Sequence, residues 1–283
     1  MGSELERKSS ITFEAAVLIF SVRFVVLLAL TCASALSHAT VSHRVQTQGS
    51  GRPLIIFASG LGDTLDVWHA VQAPIAAQCG RTMSYNRAGY AGSQPPGGPR
   101  DAKTVVAELR EELRRQGLRP PYILVGHSLG GLYMQYFARQ FATEVSGLVL
   151  VDSTHWNQQL LLGAPNERAA GRRGQVVLFM DFIARRELAD SARAGEQVNT
   201  SPIPGFIPTI VLSSTGVFRG ETPAARAHAA NLQQDIVDSF TGARHIRVDD
   251  SGHYIQKDRP DVVIKAVQDL AGCNANGNNV VTE

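Results

Sequence analysis

The chain has 283 residues, of which 44% are hydrophobic and 18% charged, with a formal net charge of +2. These values describe an ordinary globular protein whose core needs neither a metal nor a disulfide to hold it. Basic residues are mostly Arg and scattered, with no basic stripe and no RNA- or DNA-binding motif, which excludes a nucleic-acid partner.

The N-terminus differs from the rest. Arg7 and Lys8 precede a mostly apolar stretch, 11–36, interrupted by Glu14 and Arg23. The run FVVLLAL (24–30) is followed by small residues, with Ala33 and Ala35 in an A-x-A pattern. A basic flank, a short apolar core and small residues describe a secretory signal peptide. The alternative for residues 1–36 is a membrane anchor, since a span needs about 20 apolar residues. The expected location is therefore outside the cytosol, secreted or periplasmic, with membrane attachment only if the segment stays uncleaved. Beyond it two cysteines remain, Cys79 and Cys273. An even count in an oxidising compartment favours a bridge, and in a reducing one buried thiols.

Residues 41–48 alternate as a half-exposed strand does. LIIFA (54–58) is a short apolar strand ending in the Gly-rich turn Ser59-Gly60-Leu61-Gly62-Asp63. Residues 65–78 carry Val67, Trp68, Val71, Ile75 and Ala76 at helical spacing, and 82–86 form another strand. Residues 87–99 are a loop rich in Gly and Pro. Residues 101–117 form an amphipathic helix, with Val105, Leu109 and Leu113 on one face and Gly117 as its stop. YILVG (122–126) is an apolar strand, 128–141 a helix, and GLVLVD (147–152) the next buried strand. Apolar strands alternating with helices specify a mostly parallel central sheet covered on both faces, the α/β class.

After Asp152 the rhythm breaks. Residues 153–205 hold no apolar strand, contain helical pattern around 175–194, and are too long for a plain loop. They read as a helical cap inserted above the sheet. Its apolar residues, 160–162, 176–179, Phe182 and Ile183, are candidates either for lining a pocket or for anchoring the cap. The rhythm resumes with a strand at 208–214, a helix at 224–240, a strand at 245–248 and a helix at 260–271. The expected organisation is a core of 41–152 and 206–272, the insertion at 153–205, and a disordered tail at 274–283. No internal repeat is present.

Residues 126–130, Gly-His-Ser-Leu-Gly, match G-x-S-x-G between an apolar strand and a helix. That context suits a nucleophile elbow, where a tight strained turn lifts the Ser hydroxyl above the sheet. Glycines two residues before and after leave room for the bend. Ser128 is thus the candidate nucleophile, and a Ser hydroxyl needs a base to take its proton. His253, in DDSGHYIQ between the last strand and last helix, is the best candidate. His127 sits inside the elbow, with its side chain expected to point away from the hydroxyl. His155 lies at the base of the insertion, and His38, His43, His69, His228 and His245 fall in less suitable positions.

Four segments together resemble the α/β-hydrolase superfamily across roughly 45–271. They are ASGLG (58–62), YNRAGYAGS (85–93), GHSLGG (126–131) and SGHYIQKDRPDVV (251–263). Two departures from the family pattern are Ser59 where His is usual and Asn86 where Asp is usual. The resemblance implies an oxyanion hole of two backbone N–H groups, those of Leu61 and Leu129. It implies an acid after the strand at 208–214, but STGVFRGE there contains no Asp. Glu221 is the only acid nearby. The family's other position for the acid corresponds to Asp152, which is preferred; Asp249 and Asp250 are further alternatives. An elbow Ser argues against the dehalogenase and epoxide hydrolase branches, which use Asp there. No metal cluster or cofactor motif is present, and the implied chemistry needs none.

The resemblance implies a serine hydrolase acting on an ester, thioester or lactone of small or medium size through an acyl-enzyme. A C–C bond hydrolase is the nearest rival, and a catalytically inactive binding protein on the same fold is the alternative of another class. The expected partner is a small-molecule substrate; oligomeric state is not legible. The resemblance also sets the helices ending near Cys79 and Cys273 side by side, which implies a Cys79–Cys273 disulfide.

Overall fold

The computed structural model describes residues 42–158, 180–216 and 222–273. Seven strands form one sheet: β1 (Val45–Gln48), β2 (Leu54–Ala58), β3 (Arg81–Tyr85), β4 (Tyr122–His127), β5 (Val145–Val151), β6 (Thr209–Ser214) and β7 (Arg244–Val248). Their order is β1-β3-β2-β4-β5-β6-β7. Only the edge pair β1–β3 is antiparallel; every other neighbour pair is parallel. This is the mostly parallel α/β architecture that the apolar strands predict.

Successive side chains of a strand point to opposite faces, so a continuous apolar run serves two cores. Leu54, Ile56 and Ala58 of β2 and Leu124 of β4 join one core cluster. Ile55 and Phe57, with Ile123 and Val125, join the other. The first face is covered by helices α2 (Ala102–Arg115), α3 (Leu129–Gln140) and α4 (Phe182–Asn199), and the end of α5 (Pro223–Asp238). The second is covered by α1 (His69–Gln78), the single turn α6 (Ile255–Asp258) and α7 (Pro260–Ala271). A 3₁₀ turn, Leu65–Trp68, leads into α1.

Among the described residues, side-chain caps start three helices. Asp101 accepts from the N–H of Thr104 ahead of α2, Asp181 from that of Ala184 ahead of α4, and Thr222 from that of Ala225 ahead of α5. Such a cap is worth about 1 kcal/mol. Gly272, at φ 65°, ends α7 in the left-handed conformation. Cys273 then bonds to Cys79 just past α1, with 5.3 Å between the Cα atoms. Gln268 of α7 also donates to the side chain of Gln78 at 2.6 Å.

Of the segment expected to be inserted, 153–158 and 180–205 are described. Helix α4 packs against α2 and α3, and its Ala194 and Val198 enter the first core cluster. Gly195 lets α4 lie against the segment after β5, because a Cβ there would overlap the carbonyl oxygen of Trp156. Ile183 is buried and Phe182 exposed. The candidate lining residues 160–162 and 176–179, the leader 1–36, Glu221 and the tail 274–283 lie outside the described residues. Among the described residues no helix is long and apolar enough to cross a membrane.

Candidate active site

In parallel sheets ligands bind beyond the carboxyl ends of the strands, where the strand order reverses. Here β3 and β4 leave β2 on opposite sides. The turns after β2, β4, β5 and the loop after β7 carry every site residue expected from the sequence, apart from Glu221.

Ser128 follows β4 directly and has φ 51° and ψ −123°. A non-glycine residue with positive φ is strained, and the strain is tolerated because the surroundings over-determine it. The Ser128 N–H donates to Val151 O, and Ser128 O accepts from the N–H groups of Gly131, Leu132 and Thr154. The elbow glycines are required by close approach. A Cβ on Gly130 would overlap the carbonyl oxygens of Ala58 and Ser59, and one on Gly126 would lie 2.6 Å from the Gly131 Cα.

His253 Nδ1 lies 2.6 Å from Asp152 Oδ2, a short hydrogen bond to a carboxylate. Asp152 follows β5 and its other oxygen accepts from the N–H of Ser214 at 3.0 Å. Both carboxylate oxygens are therefore engaged, and the side chain is held at the end of the sheet between β5 and β6. Asp249 instead accepts from the Thr215 hydroxyl at 2.8 Å, and Asp249 and Asp250 are both exposed. Ser128, Asp152 and His253 line one cavity of about 260 Å³, together with Ser153, Thr154, Gln158, Ser214, Gly216, Arg226, Ala229 and Gln233.

The Gly-rich turn after β2 lies against Ser128. A Cβ built on Gly60 would sit 3.2 Å from the Ser128 Cβ. Among the described residues the N–H groups of Leu61 and Leu129 have no acceptor, so both can receive a ligand oxygen.

A buried network that the sequence does not reveal braces this turn. Arg87, in the loop after β3, donates to Ser59 O at 2.5 Å and to Gly60 O at 2.7 Å. The same guanidinium grips both oxygens of Glu187 from α4, at 2.6 and 2.8 Å. Tyr90 donates to Glu187 at 2.6 Å and accepts from the N–H of Gly62 at 3.0 Å. The carbonyls before Leu61 and the N–H after it are thus fixed by one ion pair and one phenol. Burial holds the Tyr90 hydroxyl well above its ordinary phenol range, so it stays a donor. Arg87 stands in the family-like segment 85–93, but its partner is 100 residues away, beyond any local pattern.

His127 also has a role not read from the sequence. Its ring packs 4.6 Å from that of His253, and its Nε2 donates to the His253 carbonyl at 2.9 Å. Burial lowers its pKa below the usual imidazole value. Of the other histidines, His245 meets the Ser213 hydroxyl at 2.8 Å, and His155 accepts from the N–H of Asn157 and stacks on Trp156. His43 is buried beside Glu112, His69 and His228 lie on the surface, and His38 is outside the described residues. Among the described residues no group of three His, Cys, Asp or Glu side chains could hold a metal ion.

Residues 55–266 match the sequence model described as "Alpha/beta hydrolase family". The uncharacterized protein YqjL of Bacillus subtilis is 26% identical over 229 residues, covering 81% of this chain and 87% of that one. Among solved structures, the enol-lactonase from Burkholderia xenovorans LB400 superposes with a TM-score of 0.58 at 17% identity, over 82% of this chain and 97% of that one. An esterase from Thermogutta terrifontis superposes with a TM-score of 0.56 at 17% identity, over 81% of this chain and 92% of that one. Est816, described as an N-acyl homoserine lactone degrading enzyme, gives 0.58 at 17% identity, over 81% of this chain and 96% of that one.

Proposed function

The chain belongs to the alpha/beta hydrolase family, and from that premise we propose that it is a serine hydrolase that cleaves esters, thioesters or lactones through an acyl-enzyme on Ser128. The observation that carries this reading is the 2.6 Å contact of Asp152 with His253 in the cavity that Ser128 also lines. Asp152 fixes the tautomer of His253 by accepting from Nδ1–H, which leaves Nε2 as the base. His253 takes the Ser128 proton as the hydroxyl oxygen attacks the substrate carbonyl carbon. The oxygen of that carbonyl becomes an oxyanion and receives the N–H groups of Leu61 and Leu129. Each such donor is worth about 3–4 kcal/mol when aimed where charge develops. Collapse expels the alcohol, which takes the proton from His253. Water, activated by the same His253, then attacks the acyl group and frees Ser128.

Proteins of similar fold include an enol-lactonase, an N-acyl homoserine lactone degrading enzyme and an esterase, which agrees with this reaction class. The test is a panel of p-nitrophenyl esters of graded acyl length, run on wild type and Ser128→Ala. Hydrolysis that disappears with the Ser128 hydroxyl supports the proposal. Equal rates in both proteins, or a release of products by C–C cleavage only, count against it. The Cys79–Cys273 bridge favours function in an oxidising compartment, in keeping with export directed by residues 1–36.

A further inference from the structure

Most of the described residues that line the cavity beside Ser128 carry polar side chains, and one of its walls is a single face of α5. Arg226, Ala229 and Gln233 stand at i, i+3 and i+7 on that helix and all line the cavity. The rest of the first turns of α5 is exposed, whereas Arg226 is partly buried. Its Nη1 has no contact with solvent and no hydrogen-bond partner. Among the described residues no carboxylate pairs with this guanidinium. Among the described residues that line the cavity, Asp152 is the one carboxylate, and both of its oxygens are already taken by Ser214 and His253.

A cation held partly out of water without a counter-charge is costly, and the cost is recovered when an anion enters. The guanidinium is a planar fork that matches a carboxylate through two parallel hydrogen bonds. A single such cation suits a monoanion better than a phosphate, which needs more positive charge. A sphere with the volume of this cavity is about 8 Å across. A group on Arg226 and a carbonyl at Ser128 therefore belong to one small molecule, a few carbons apart. Gln233 Oε1 is a second buried atom without a partner on the same wall, and as an acceptor it faces a hydroxyl or N–H rather than the anion.

We infer that the substrate of this site carries a carboxylate, bound by Arg226 a few carbons from the ester or lactone carbonyl that Ser128 attacks. The inference rests on the proposed hydrolase reading and narrows it to acidic substrates. It predicts discrimination between two esters of similar size, the p-nitrophenyl monoester of glutaric acid and p-nitrophenyl pentanoate. The kcat/KM ratio of acidic to neutral ester is expected to be tenfold or more in wild type. It should fall to about one in Arg226→Gln, with Arg226→Lys between the two. A ratio at or below one in wild type, or an unchanged ratio in Arg226→Gln, overturns the inference. A second readout needs no turnover: glutarate should raise the melting temperature of Ser128→Ala, and fail to do so in Ser128→Ala/Arg226→Gln. If wild type hydrolyses neither ester, the hydrolase reading fails, and the glutarate shift alone decides whether Arg226 binds a carboxylate. No Arg226-dependent shift in that case also overturns the inference.

Discussion

At the scale of single residues, the contact between Asp152 and His253 makes a sharp prediction. In Asp152→Asn the amide oxygen can keep the bond from the Ser214 N–H, which leaves the amide NH₂ facing His253 Nδ1. A donor there forces the proton onto Nε2, where the base is needed. Turnover should fall on the order of 10³–10⁴-fold with the fold intact. Near-normal kcat in that variant would move the acid's role elsewhere, with Glu221 first in line. Two other buried histidines link the stability of the fold to pH. Burial pushes His43 and His155 down to about 4. The folded form of each is neutral where the unfolded imidazole, with its ordinary value near 6.5, already binds a proton. Their stabilisation is present above pH 6.5 and is lost as pH falls from 6.5 towards 4. Each contributes up to about 3 kcal/mol to that loss. Urea denaturation at pH 7 and pH 4.5 should show it, and His43→Gln should flatten the dependence; an equal slope in the variant contradicts the assignment. The shared position of Asp152 and His253 is legible in the sequence because Asp152 directly follows an apolar strand and His253 lies in the loop after the last strand, so both emerge at the same end of a parallel sheet. That of Arg226 is not, because nothing in a polar helix distinguishes a cavity wall from a solvated face.

At the scale of elements, α4 connects to the chemistry through Glu187. Its two oxygens hold Arg87, and Arg87 holds the successive carbonyls of Ser59 and Gly60. Removing one partner of a buried pair leaves an unpaired charge and costs about 3–5 kcal/mol. Glu187→Ala is therefore expected to be much less stable than wild type. Glu187→Gln keeps an acceptor for the guanidinium and should fold. Its signature should be a lower kcat with little change in KM, since the N–H of Leu61 would matter most to the developing oxyanion. A lower stability with unchanged kcat would make the network structural alone. The strands and flanking helices are readable from hydrophobic period, with most boundaries off by one or two residues: the strand expected at 147–152 runs Val145–Val151, the helix expected at 65–78 begins as a 3₁₀ turn, and the strand expected at 41–48 is shorter, Val45–Gln48. The place of α4 was not readable. It reaches the core through only Ala194 and Val198, and Gly195 lets it lie against the backbone of Trp156, so few apolar residues mark its buried side.

At the scale of the whole molecule, the Cys79–Cys273 bond ties the first helix after β2 to the last helix, across 194 residues of sequence. Closing so long a loop removes much of the unfolded chain's freedom and stabilises the fold by about 4–5 kcal/mol in chain-entropy terms. Cys79→Ser/Cys273→Ser, or reduction under mild denaturant, should lower the urea midpoint accordingly. A change below about 1 kcal/mol would mean that the packing of α1 on α7 already supplies that constraint. The fold class was legible because the order of apolar strands and helices leaves few topologies open. The brace formed by Arg87, Tyr90 and Glu187 was not, since it joins three residues that meet only once the sheet and α4 have assembled.

The central claim is that Ser128 is an activated nucleophile, and covalent labelling tests it most directly. Folded wild type treated with a fluorophosphonate should gain one adduct by intact mass, mapped to Ser128, while Ser128→Ala gains none and Asp152→Asn reacts far more slowly. Wild-type protein that stays unlabelled at Ser128, or that is labelled as fast in Ser128→Ala, would contradict it.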